Sequence, residues 1–175
     1  FQASVTMQPS SIVAHEFLSL LTTPLLSRFF NLIRAQDDAW VDVLISRIAA
    51  VLEHTVPEVW DVELSGSQTE AVWEAMRDGT PIPLQAFMAH PANRSEALAC
   101  IPLLLKRGDE ETLMPDPETR LQAGDRLLFC GERQARNLQS LGLYNFNVLS
   151  YLLSGQDVPG GKVWRWMERL GKKPE

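Results

Sequence analysis

The sequence predicts an α+β domain flanked by helical segments, and three observations lead there. Apolar residues recur at helical spacing through the first third of the chain. After Pro57 the period shortens to the alternation of strands. From there to Gly142, strand-like and helix-like runs are separated by turns rich in Gly, Pro and Asp. The expected order within residues 57–142 is strand-helix-strand-strand-strand-helix, with helical residues 1–56 before it and a C-terminal helical extension at 143–175.

The elements follow in chain order. Pro9, Ser10 and Ser11 suit a helix start, and Ile12, Val13, Phe17, Leu20 and Leu21 follow at helical spacing. Thr23 is a natural N-cap and Pro24 is favoured at a first helical position. A second helix then runs through Leu25, Leu26, Phe29, Phe30 and Ile33, with Ser27, Arg28, Asn31 and Arg34 on its other face. Asp37 or Asp38 caps a third helix, whose stripe is Trp40, Val41, Leu44, Ile45, Ile48, Val51 and Leu52. These helices carry more apolar surface than they can bury alone. Two readings stay open: packing on the next domain, or an arm packing on a second subunit.

Residues 59–64 alternate as a strand, and Gly66 and Ser67 open a helix with Ala71, Val72, Ala75 and Met76 on its inner face. Asp78 and Gly79 stop it. Residues 82–88 read as a strand, 91–94 as a turn, and 99–106 as a second apolar strand ending in an acidic turn at 108–111. A short extended piece at 112–114 precedes Pro115, Asp116 and Pro117. The turn at 123–125 leads into a strand at 126–131, and a helix from Glu132 to Leu141 is closed by Gly142. A helix at 143–153 ends at Ser154 and Gly155, and the last helix carries Val163, Trp164, Trp166, Met167 and Leu170. The expected core includes Val62, Leu64, Val72, Leu84, Leu103, Leu127 and Phe129.

Composition narrows the function classes. The 175 residues are 45% hydrophobic and 22% charged, as in a globular protein. The net charge of -6 argues against nucleic acid as a partner, because phosphate binding needs a basic surface. The tail is the exception: Lys162, Arg165, Arg169, Lys172 and Lys173 face a single acid, Glu168. It is either a solvated helix end or a contact with an anionic membrane surface.

Cys100 and Cys130 belong to no CxxC or Cys/His set, which argues against zinc and fits a reducing, cytoplasmic compartment. Both fall in apolar strands, where a small buried thiol is the ordinary reading. No stretch offers the roughly 20 apolar residues of a membrane span: residues 17–27 are too short, and 137–156 hold Asn and Gln. The opening at Phe1 has no signal-peptide order and reads as the interior of a longer protein. His15, His54 and His90 lack metal-ligand spacing, the acids at 109–111 lack the pattern of a calcium loop, and no nucleophile motif occurs. A non-catalytic chain without a cofactor is expected.

The stretch at 115–131, with Pro115, Thr119 and Leu121 leading to Gly124-Asp125, an apolar strand and Gly131, resembles the signature of the TrkA-C (RCK C-terminal) domain family. The strand at 59–64, the helix opening at Gly66, the strand at Ile82 and the turn at Lys106, Arg107 and Gly108 continue the likeness over residues 57–142. Residues 7–14 resemble the end of the nucleotide-binding lobe that precedes such a domain, but no GxGxxG phosphate loop is present. Two departures are a longer hairpin at 89–98 and the helices after Leu143.

The resemblance implies a regulatory region of a bacterial potassium or cation transport or channel protein. It also implies a homodimer acting on a membrane-embedded cation pathway and a small ligand, such as an anionic nucleotide. The positions matching the family's ligand site are Arg77, Ile82 and Pro115. For Arg77, a guanidinium holding an anion competes with a plain cation at a helix C-terminus. The rival function is a dimerisation module that needs no ligand.

Overall fold

The computed structural model describes residues 24–52 and 55–156. The helices expected from Ser10 onward and around 163–170 lie outside them. Helix α1 (Pro24–Ile33) opens on Pro24, whose missing N–H has no partner to lose in a first turn. In α2 (Asp38–Leu52) the cap is Asp37, whose Oδ1 accepts the Trp40 N–H at 2.8 Å.

Strand β1 (Glu58–Glu63), α3 (Glu70–Arg77) and a 3₁₀ turn at Leu84–Phe87 follow. Then come β2 (Ala89–His90), β3 (Asn93–Ala97), β4 (Cys100–Arg107), β5 (Glu110–Leu113) and β6 (Arg126–Gly131). Helices α4 (Arg133–Tyr144) and α5 (Phe146–Ser154) complete the described chain. β1, β6, β4 and β5 form one antiparallel sheet in that order, while β2 and β3 pair separately as a hairpin. The fold is α+β.

Both faces of the sheet are covered, and the central strand shows why its sequence is apolar without a break. Side chains alternate across a strand, so Leu127 and Phe129 enter one core with Trp60, Val62 and Leu105. Leu128 and Cys130 enter the other with Leu103 and Leu104. A strand buried on both sides has no polar positions to spare. Helices α3, α4 and α5 contribute Ala71, Val72, Ala135 and Leu149 to the first core, the inner face. Helices α1 and α2 cover the outer face with Leu25, Phe29, Leu44 and Leu52. A register shift in β4 between Pro102 and Leu104 accommodates a proline, which has no N–H for the ladder, and brings Leu103 and Leu104 into the same outer core. Each such side chain contributes about 1.5–3 kcal/mol on burial. All seven expected core positions are buried.

Three local expectations are corrected. Residues 82–88 form no strand: Pro81 and Pro83 bracket Ile82, and the chain coils at Leu84–Phe87, burying Leu84, Ala86 and Phe87 within that single short coil. The contacts that remain are an isolated bridge between Pro83 and Arg120 and bonds such as Leu84 N–H to Thr119 O at 2.9 Å. The acidic turn is shorter than expected, because Glu110 and Glu111 already belong to β5.

Gly142 closes nothing, since α4 continues to Tyr144. A Cβ at Gly142 would lie 3.0 Å from Leu152 Cδ1, so the glycine serves the close approach of α5. The actual break is Asn145, whose Oδ1 accepts the Asn147 N–H at 3.0 Å and caps α5.

Candidate functional site

The turn before β6 is a tightly built polar feature of the described residues. Asp125 is fully buried, a costly place for a carboxylate unless its oxygens are paired. Arg107 supplies the pairing with a two-pronged contact, Nε to Oδ1 at 2.8 Å and Nη2 to Oδ2 at 2.7 Å. The Gln122 N–H donates to the same Oδ2 at 2.8 Å, and Arg107 Nη2 also reaches the Arg120 carbonyl at 2.9 Å. Hydrogen bonding to Asp125 pushes the Arg107 guanidinium above its ordinary value. Gly124, at φ +85°, lets the backbone double back, so its N–H bonds Leu64 O and Leu64 N–H bonds Asp125 O, both at 2.8 Å. These bonds fasten residues 121–125 to the end of β1.

That fastened turn forms one wall of a cleft of about 390 Å³, lined by Trp73, Met76, Arg77, Leu121 and Gln122 among others. The opposite wall is α3. Trp73 and Arg77 stand four residues apart, so they share a face of that helix. Trp73 is 40% exposed, unusual for a large aromatic, and lies over Gly66, where an added Cβ would come within 3.4 Å of the indole Nε1. Arg77 is exposed at the last turn of α3 and forms no ion pair with a described carboxylate.

The three positions carried over by resemblance are not brought together. Arg77 lines the cleft. Ile82 is 1% exposed and its side chain sits in the inner core, while its carbonyl accepts the Leu121 N–H at 2.9 Å and so braces the wall from behind. Pro115 is buried just after β5 and is not among the residues lining this cleft. Sequence reasoning missed Trp73 and the segment 121–123. The available signal was an aromatic four residues before Arg77, on the helical face opposite Ala71 and Ala75.

Other chemistry finds little footing. Among the described residues no group of His, Cys, Asp and Glu could hold a metal ion, and no helix is long and apolar enough to cross a membrane. The Cys100 thiol is pushed up to about 12, first by burial and then by Cys130, and burial also raises Cys130. Cys100 packs in the inner core and Cys130 in the outer one. With the sheet between them and their thiolate forms disfavoured, both are poor nucleophiles.

A family comparison finds a TrkA-C domain at residues 90–140. That stretch runs from the β2–β3 hairpin into α4, taking in the paired Arg107 and Asp125 and one wall of the cleft. Trp73 and Arg77 lie outside it. A comparison with curated proteins finds no match.

Proposed function

We propose that the chain is a cytosolic ligand-sensing regulatory domain that controls potassium or related cation transport by a membrane protein. TrkA-C domains are regulatory domains associated with K⁺ transport, which supports the general role. The cleft between α3 and the 121–123 turn carries the sensing part of the reading. It offers one guanidinium that forms no ion pair with a described carboxylate, beside an exposed indole and the turn at 121–123. A planar, permanently charged donor next to an aromatic suits a small anionic molecule with a flat body, a nucleotide among them. In this reading the role is binding without turnover.

In this reading two copies pair, and the ligand acts by preferring one arrangement of the pair over another. A ligand with equal affinity for both arrangements shifts nothing. The paired domains then pass the change to the cation pathway of the same or a partner chain.

Calorimetry with nucleotides and cyclic dinucleotides, on the wild type and on Arg77→Ala, tests this. Loss of a charge-assisted bond should weaken binding about ten- to a hundredfold. Equal affinity in both proteins removes Arg77 from the site. Absence of binding by every compound favours the second reading, a dimerisation module without a ligand, to which exposed Phe30, Val43 and Ile45 on α1 and α2 lend support.

A further inference from the structure

Strand β3 is out of keeping with the rest of the fold. All five of its residues are exposed, whereas β4 buries five of its eight positions and β6 five of six. It contributes nothing to either core, yet its hairpin is well tied. His90 Nδ1 accepts the Ala92 N–H at 3.2 Å, Asn93 Nδ2 donates to Glu96 Oε1 at 2.8 Å, and the Leu98 N–H bonds Met88 O at 2.7 Å. A rigid element that buries nothing is held for what it presents to solvent.

What it presents is Arg94. The guanidinium extends from β3 to the end of α5, where a Cβ on Gly155 would lie 2.8 Å from Arg94 Nη1. The carbonyl end of a helix favours a nearby cation. Beneath it lies a cleft of about 430 Å³, with an apolar floor that includes Pro81, Leu152 and Leu153. Arg94 forms no ion pair with any described carboxylate, and the Thr80 hydroxyl and Gln85 amide at the rim form no hydrogen bond with another described residue. These three donors line the cleft together with Pro81, Leu152 and Leu153, and its volume is within the size range of small-molecule sites.

We propose that this cleft is a second binding site, for a small monocarboxylate with an apolar body. The carboxylate takes the two-pronged guanidinium of Arg94, with Thr80 and Gln85 completing its hydrogen bonds, and the body lies on Leu152 and Leu153. The negative end of α5 favours a singly charged head over a phosphate. The site is separate from Arg77, although Thr80 borders both clefts.

Amide NMR titration of the full chain with sodium hexanoate tests it, with inorganic phosphate as the comparison ligand. Hexanoate should give saturable shifts at Ala86, Leu152 and Leu153. Arg94→Gln, on an exposed strand and so expected to leave the fold intact, should weaken them about tenfold or more. Arg77→Gln should leave them unchanged, which keeps this result separate from the fate of the first cleft. Shifts that do not saturate, equal affinity in Arg94→Gln, or phosphate binding as tightly as hexanoate would each overturn the proposal.

Discussion

The inner and outer faces of the sheet are made by the same strands and are finished very differently. On the inner face even the polar groups are closed off. Trp60 stacks on Phe129 with ring centroids 5.8 Å apart. Its indole N–H donates to Gln139 Oε1 at 2.8 Å, and Gln139 Nε2 donates to Phe87 O at 3.1 Å. A buried amide with both ends paired adds specificity to the packing instead of a penalty.

On the outer face, α1 and α2 bury Leu25, Phe29, Leu44 and Leu52 but leave Phe30, Val43 and Ile45 in solvent. Toward one end of the sheet the apolar cover gives way to charges. Arg126 on β6 lies 3.1 Å from Asp61 and 3.8 Å from Glu63 on β1. Lys106 on β4 lies 3.9 Å from Glu111 on β5, and Glu111 makes a two-pronged contact with Arg28 of α1, both bonds at 2.8 Å. Alternation alone therefore does not say how well a face is sealed. The inner face is a finished core, and the outer face is a joint between a sheet and a two-helix arm.

The largest expected difference is in core truncation. Phe129→Ala should cost about 3–5 kcal/mol, because three helices and the Trp60 stack hold the cavity open. Leu104→Ala on the outer face is expected to cost less, about 2–3 kcal/mol, because two helices can settle into the gap. Urea unfolding of both variants measures it, and a larger loss at Leu104 would break the contrast.

Thiol labelling sharpens the same point, since each face holds one cysteine. Neither Cys100 nor Cys130 should react with a thiol reagent in the native state at pH 8, as burial raises both. In urea below the global transition, Cys130 should become reactive before Cys100 if the arm opens locally. Simultaneous labelling, followed by mass spectrometry, would show the two faces to be one cooperative unit.

The smallest effect concerns the joint itself. Hydrogen bonding to Arg28, then its charge, holds the Glu111 carboxyl below its ordinary 4.5. A folded value below the unfolded one means the contribution is complete above 4.5 and is lost as pH falls through the lowered value. Arg28→Ala should therefore lower the melting temperature slightly at pH 7 and not at pH 2. Arg28 is exposed, so solvent screening keeps the difference small. A pH-independent difference would point to lost packing of the Arg28 stem instead.

Helices α1 to α4, the strands of the main sheet and the seven tested core positions were legible in the residues because period and turn chemistry are local properties. Gly124 and Asp125 were legible as a turn for the same reason. The segment at 82–88 was not, because its alternation of Ile82, Leu84 and Ala86 imitates a strand while two prolines forbid regular pairing. The first cleft was half legible: Arg77 was named, but its opposite wall comes from residues 121–123, more than 40 positions along the chain.

By itself, then, the sequence determined helices α1 to α4, the strands of the main sheet and the turn that precedes β6. The tertiary structure decided that Arg107 neutralises Asp125, that Gly142 makes room for Leu152, and that Trp73 and Arg77 share a cleft with Leu121. Periodicity records how each segment relates to its own neighbours. Close approaches between distant segments are set only when the two cores form and bring them within reach.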